Sequence, residues 1–353
     1  MSLPLRRSLA YFRTAFNSNR GVQHQPSSPA RYISSPSPTL QPQTPPSSPP
    51  PLPLSQHPNE TIRLPDGRDL GFATFGDPSG APAFFFHGSP SCRLEAGEWH
   101  TAALNTNVRI IGVDRWGMGL SSLHPSGTLL DWPADILALS HHLGISKFHV
   151  FGGSGGGPYA LACAKALGGE DGLLGAGVVA GVAPPAAGMR GMALDRKVAF
   201  VLNRILPSAV LEKMIDIGVA NAARSPDQDH WAKQAEKMIK TFHQEEQEFY
   251  DEFPDLKRSM IECYKEAFRQ GSKGAVGDTN LILKDWGFGI HEVRGKVRIW
   301  NGTGDVHVPV WAARWMAERL PDAVLKEYEG ETHLSVPSKY AEEILEDLMG
   351  MGK

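Results

Sequence analysis

Phe148-His149-Val150-Phe151-Gly152-Gly153-Ser154-Gly155-Gly156-Gly157-Pro158-Tyr159 joins an apolar, β-branched run to glycines around one serine, and the helix-type run Tyr159-Ala-Leu-Ala-Cys-Ala-Lys-Ala-Leu follows at once. This pattern reads as strand, sharp turn, helix. The turn has the form G-x-S-x-G, from Gly152 to Gly156. A serine held at such a turn sits in a strained backbone, and side chains two positions away on either side would collide with the passing chain. Glycine at 152 and 156 removes that collision. The following helix aims its unpaired N–H groups and the positive end of its dipole at the turn. Two other glycine-rich turns are excluded by named residues. A phosphate loop needs Lys-Ser or Lys-Thr after its last glycine, where Pro158-Tyr159 stands. A dinucleotide G-x-G-x-x-G counted from Gly153 needs glycine at 158. A tight turn without chemistry is the remaining alternative for this motif taken alone.

Working outward, apolar runs recur at Pro82–Phe86, Val108–Val113, Gly175–Val182, Val297–Asn301 and Ala323–Tyr328, separated by helix-length stretches at 93–104, 130–143, 158–167 and 309–320, with a terminal helix at 337–348. Continuous apolar runs suit strands covered on both faces. Alternation of strand and helix predicts an α/β fold with a doubly wound, mostly parallel sheet. Glu60–Pro65 and Asp69–Gly76 flank Asp66-Gly67, which predicts a hairpin. From 186 to 285 only helical signals occur. Ser225-Pro226-Asp227-Gln228 reads as N-cap, first-turn proline and capping-box glutamine, followed by Trp231, Ala235, Met238 and Phe242 at helical spacing. Leu256, Met260, Tyr264, Ala267 and Phe268 form a second stripe that stops at Gly271. The expected organisation is an N-terminal segment 1–58, a core over 59–185, a helical cap over 186–285 and the second part of the core over 286–353. Cap residues such as Val198, Phe200, Val201, Ile205, Met214 and Ile217 are expected to pack on the core or roof a pocket.

The N-terminal segment differs in composition. Before Glu60 there is no Asp, Glu or Lys, while Arg6, Arg7, Arg13, Arg20 and Arg31 stand among serines and apolar residues. That bias suits a mitochondrial transit peptide or a basic tail without an address. Gln25–Pro58, rich in Pro, Ser, Thr and Gln, is expected to be a disordered tether. The formal charge of the chain is −3; the five tail arginines contribute +5, so the remainder carries −8. Such a balance argues against nucleic-acid binding. Cys92, Cys163 and Cys263 lack metal-ligand spacing and cannot all pair, which suits free thiols in a reducing compartment. The weakly polar stretch 172–189 is interrupted by glycines and Pro184-Pro185, so no membrane span is expected.

A serine hydroxyl is a weak nucleophile at neutral pH and needs a base, which needs an orienting carboxylate. Asp305 lies in Asn301-Gly-Thr-Gly-Asp305-Val-His-Val-Pro just after a strand, and His333 in Gly330-Glu-Thr-His333-Leu-Ser after the last strand. Both therefore fall with Ser154 on the edge where open α/β sheets keep their sites. The backbone N–H of Gly155 and that of Ser89, in His87-Gly88-Ser89-Pro90, are candidate oxyanion donors.

These motifs, with Asp114-Arg115-Trp116-Gly117-Met118-Gly119-Leu120-Ser121, resemble the α/β-hydrolase superfamily from about Glu60 to the end. The resemblance implies a serine hydrolase with a helical cap, a small-molecule carboxylic ester or related acyl substrate, the triad Ser154, Asp305 and His333, and no metal or organic cofactor. Members that resemble epoxide hydrolases and haloalkane dehalogenases carry an aspartate nucleophile, which position 154 lacks. Peptidase, lactonase, acyltransferase, perhydrolase or lyase chemistry on the same triad stays open, as does a ligand receptor or pseudoenzyme. Asp114 and Arg115 are expected to close a turn and His87 to fix loop geometry. Glu245, Glu246 and Glu248 read as a solvated helix face, with recognition of a substrate ammonium as their alternative. Asp278 is left between capping a helix and facing the site.

Overall fold

The computed structural model describes residues 31–35, 59–169 and 172–352. The arginine-rich residues 1–30, and with them most of the expected leader and tether, lie outside the described residues. Arg31–Ser35, inside the expected tether, forms a strand, β1, paired in parallel with the last strand, Ala323–Tyr328. Backbone pairing to an open sheet edge needs no apolar side chains, so a composition argument about core burial does not exclude it.

Eight further strands follow: β2 (Glu60–Arg63), β3 (Asp69–Gly76), β4 (Ala81–Phe86), β5 (Val108–Val113), β6 (Phe148–Gly153), β7 (Leu173–Val179), β8 (Val297–Gly302) and β9 (Ala323–Tyr328). They form one sheet in the order β1-β9-β8-β7-β6-β4-β5-β3-β2. Pairings β2·β3 and β3·β5 are antiparallel and the others parallel. The expected hairpin is present, with Gly67 at φ +84° in its turn, a region that glycine enters without steric cost. The chain leaves β4 toward β5 on one side and leaves β6 toward β7 on the other. The carboxyl ends of β4 and β6, paired as Phe86↔Gly152, therefore mark the point where the strand order reverses.

Both faces of the sheet are covered, which explains the unbroken apolar runs. On β4, Phe84 and Phe86 join a core with Trp132, Tyr159 and Met316, while Phe85 points to a second core with Trp99, Phe151 and Leu345. Each such aromatic side chain contributes roughly 1.5–3 kcal/mol on full burial. Two expected helices are subdivided. Residues 93–104 form a tight 3₁₀ stretch, Arg93–Trp99, that continues as the α-helix His100–Asn105, and the terminal helix breaks at Tyr340 into Ser335–Lys339 and Ala341–Gly350.

Between β7 and β8 run the helices Leu194–Ile205, Ser208–Ile215, Gln228–Ile239, Gln244–Glu252, Pro254–Ala267 and Lys273–Leu283. The N-cap of Gln228–Ile239 is Asp227, whose carboxylate accepts from the Asp229 and His230 N–H groups; the expected cap, Ser225, accepts only from the Asp227 N–H. The ionised carboxylate at the helix start is the stronger acceptor and also complements the helix dipole. Trp231, Ala235 and Ile239 are the buried stripe. A larger departure concerns the first two helices. Leu194–Ile205 buries none of its residues, and Val198, Ile205 and Met214 are 50%, 65% and 54% exposed. Their apolar character therefore reflects an outward face, and only Phe200 among the expected roof residues named above borders the cavity described below.

The last helix of the segment docks by backbone contact. A Cβ on Gly274 would stand 2.2 Å from the Gly117 carbonyl oxygen, so no larger residue fits without moving one backbone or the other. Gly274→Ala is expected to lower stability by roughly 1–3 kcal/mol, the usual cost of overpacking. Urea denaturation with an unchanged m-value reads this directly, and a midpoint equal to wild type would show that the contact is not tight.

Candidate active site

At the end of β6 the chain turns through Ser154 at φ +50°, a conformation costing a non-glycine residue about 1–3 kcal/mol. A Cβ on Gly152 would lie 2.2 Å from the Gly156 oxygen, and one on Gly156 only 2.0 Å from the Phe86 oxygen of β4. The glycines are thus required where the sequence places them. A 3₁₀ turn, Ser154–Gly156, leads into the helix Gly157–Leu167, so the positive end of that helix lies at the turn.

Ser154 and His333 border the same cavity, of ≈ 400 Å³. His333 Nδ1 lies 2.7 Å from Asp305 Oδ2, and Asp305 is buried, its other oxygen accepting the His307 and Val308 N–H groups at 2.8 Å each. With Nδ1 donating to Asp305, Nε2 is left for a partner in the cavity. Burial disfavours the His333 imidazolium, but the charge and hydrogen bond of Asp305 outweigh it and raise the pKa above the ordinary value of 6.5. Ser89 also borders the cavity, and its N lies 3.4 Å from where a Gly155 Cβ would be, so the two candidate oxyanion donors belong to adjoining chain segments.

The loop after β4 is held from several sides. Arg115 donates to the His87 and Gly88 carbonyls, the latter at 3.1 Å, and the Arg115 N–H donates to His87 Nε2 at 3.1 Å. His87 Nδ1 is 2.7 Å from the Gly88 carbonyl, so it carries the proton and the ring is the neutral Nδ1–H tautomer. Burial, reinforced by Arg115, pushes its pKa well below the usual histidine value. His87 thus fixes loop geometry, as expected. Asp114 does close its turn, accepting from the Arg93 and Leu120 N–H groups at 2.6 and 2.8 Å. Arg115 does more than expected, because it reaches the loop carbonyls and Asp278.

Three acidic residues line the cavity. Glu95 accepts the Gly88 N–H at 3.0 and 3.1 Å. Burial, with the neighbouring Glu95 charge, pushes the Glu98 carboxyl up to about 8, and Ser259 donates to it at 3.2 Å. Glu246 is not on a solvated face: it lies 3.0 Å from His307 Nε2 and borders the cavity. Tertiary folding turns its helix inward, and a single-helix reading of charge could not show that. The usable signal for Glu95 and Glu98 was their i, i+3 spacing, which puts both on one face of the turn that follows the His-Gly loop.

Residues 83–346 match the model of a family described as the alpha/beta hydrolase family. A proline iminopeptidase of Xanthomonas citri is 36% identical over 109 residues, 30% of this chain and 34% of that protein. The match thus spans about a third of that relative's length. A non-heme chloroperoxidase of Streptomyces lividans is 26% identical over 304 residues, covering 83% of this chain and 99% of that one. Among solved structures, a thermophilic esterase from Thermogutta terrifontis superposes with a TM-score of 0.59 at 20% identity, over 84% of this chain and 99% of that one. An esterase from Exiguobacterium antarcticum does so at 0.58 and 18% identity, over 82% and 99%. No helix among the described residues is long and apolar enough to cross a membrane.

Because the His333 pKa is raised by folding, the pair with Asp305 stabilises the fold fully below pH about 6.5, and that contribution is lost as pH rises through the folded value. An NMR titration should place His333 above the ordinary histidine range, and Asp305→Ala should bring it down. A His333 pKa unmoved by that substitution would remove the electrostatic role of Asp305.

Proposed function

This chain belongs to the alpha/beta hydrolase family, and from that premise we propose that it is a serine hydrolase cleaving a carboxylic ester or related acyl compound of small size. The observation that carries the reading is the His333–Asp305 hydrogen bond at the cavity that also holds the strained Ser154. Ser154 Oγ attacks the carbonyl carbon and His333 Nε2 takes its proton. Asp305 orients the ring and favours the imidazolium. The N–H groups of Gly155 and Ser89 receive the oxyanion, and the imidazolium then protonates the leaving group. Water, activated by the same histidine, releases the acid from the acyl-enzyme. The helices within 186–285 act as a cap, since Phe200, Glu246, Tyr250 and Tyr264 from them border the cavity.

A second reading, cleavage of an acyl compound bearing an amino group, is favoured by Glu246 in the cavity wall, whose carboxyl is held, against the effect of burial, below its ordinary range by His307, and by the similarity to proteins named proline iminopeptidase. Turnover of proline p-nitroanilide well above that of p-nitrophenyl butyrate supports it. Ester preference, unaltered by Glu246→Gln, removes it.

Ser154→Ala should lower ester turnover on the order of 10⁴-fold or more and abolish fluorophosphonate labelling with the fold intact. Undiminished turnover by a purified variant free of other esterases overturns the mechanism. For residues 1–58 the import reading stands as a proposal of its own. A fluorescent fusion of that segment should reach mitochondria, and a cytosolic signal rejects targeting without touching the hydrolase reading.

A further inference from the structure

Asp278 lies in the helix Lys273–Leu283, at the far end of the helical segment from β7, yet its carboxylate is buried beneath the loop after β4. Each oxygen receives two donors. Arg115 Nε and the Tyr159 hydroxyl reach Oδ1, both at 2.7 Å, while Arg115 Nη2 at 2.8 Å and the Ser89 hydroxyl at 2.6 Å reach Oδ2. The three donor residues come from three segments that must agree in position. Ser89 carries a candidate oxyanion N–H, Arg115 holds the carbonyls of His87 and Gly88, and Tyr159 lies in the helix that begins at the Ser154 turn. From the same helix as Asp278, Ile282 Cδ1 comes within 3.3 Å of a Cβ position at Gly155.

We infer that Asp278 is a positioning residue for the oxyanion site, holding Ser89 through its hydroxyl and the His87-Gly88 carbonyls through Arg115. The inference rests on the reading of Ser89 and Gly155 as oxyanion donors. A donor is effective only at about 2.7–3.1 Å from where the oxyanion forms, and the substrate carbonyl before attack tolerates looser placement. Loosening Ser89 therefore weakens the transition state more than the ground state, which lowers kcat and leaves KM nearly unchanged. A purely structural ion pair predicts instead a loss that follows the folded fraction.

The test uses the full chain as wild type, Ser89→Ala and Asp278→Asn, with p-nitrophenyl butyrate kinetics, inhibition by phenylboronic acid as a tetrahedral mimic, and thermal melts. Ser89→Ala removes one hydrogen bond and leaves the Arg115–Asp278 pair, so it stays informative should Asp278→Asn fold poorly. It is expected to lower kcat about 10-fold and weaken boronate binding by a similar factor, with KM within about 2-fold. Asp278→Asn is expected to cost about 10²-fold in kcat, and the double variant no more than Asp278→Asn alone, because the Ser89 hydroxyl acts through Asp278 while Asp278 acts through Arg115 as well. Wild-type kcat and boronate affinity in folded Ser89→Ala overturn the inference, as do losses that match the drop in melting temperature. A wild-type protein with neither turnover nor Ser154 labelling removes the hydrolase reading itself, and the inference with it.

Discussion

Everything at the proposed site depends on how closely two strands let their ends approach. The Gly156 backbone lies against the Phe86 carbonyl so tightly that a single added carbon would stand 2.0 Å from that oxygen. This approach brings the loop after β4 and the turn after β6 side by side, where the connections leave in opposite directions across the sheet. Ser89 and Gly155 meet because Phe86 and Gly152 are paired. The strain at Ser154 persists because the sheet on one side and the helix Gly157–Leu167 on the other over-determine the turn.

Around that steric frame two buried arginines have carboxylate partners that restrict the loops. Arg93 pairs with Asp114 and Glu266, and Arg115 pairs with Asp278. Removing one member of such a buried pair costs about 3–5 kcal/mol, mainly because the other is left uncompensated. Apolar replacements of the same volume would pack as well but would leave the loop carbonyls without donors. Glu266 and Asp278 both come from the helical segment, so its packing on the core and the shape of the loops around Ser154 are one problem in electrostatics. Glu246 meets His307, two residues beyond Asp305.

The outer side of the same segment follows a different logic. Leu194, Val198, Val201 and Ile205 repeat at helical spacing on a helix that buries nothing, whereas Ala199, Phe200 and Asn203 of that helix border the cavity. One helix thus presents an apolar stripe outward and a mixed surface inward. Hydrophobic periodicity alone assigns the stripe to the interior, since periodicity records that a face is apolar and carries no information about which side of the helix meets the protein.

The same limit separates what was legible in the sequence from what was not. Strand and helix alternation, the Asp66-Gly67 hairpin, the glycines around Ser154 and the loops carrying Asp305 and His333 are local, because steric demands and turn chemistry act over a few residues. By itself the sequence determined the α/β class, the strained turn and the candidate residues at the carboxyl edge of the sheet. Only the tertiary structure decided that Asp278 lies under Ser89 across 189 positions, that Glu246 turns inward to His307, and that Arg31–Ser35 joins the sheet edge. Those contacts are set by how whole elements pack, and a carboxylate or an edge strand looks the same in sequence whether water or a partner satisfies it.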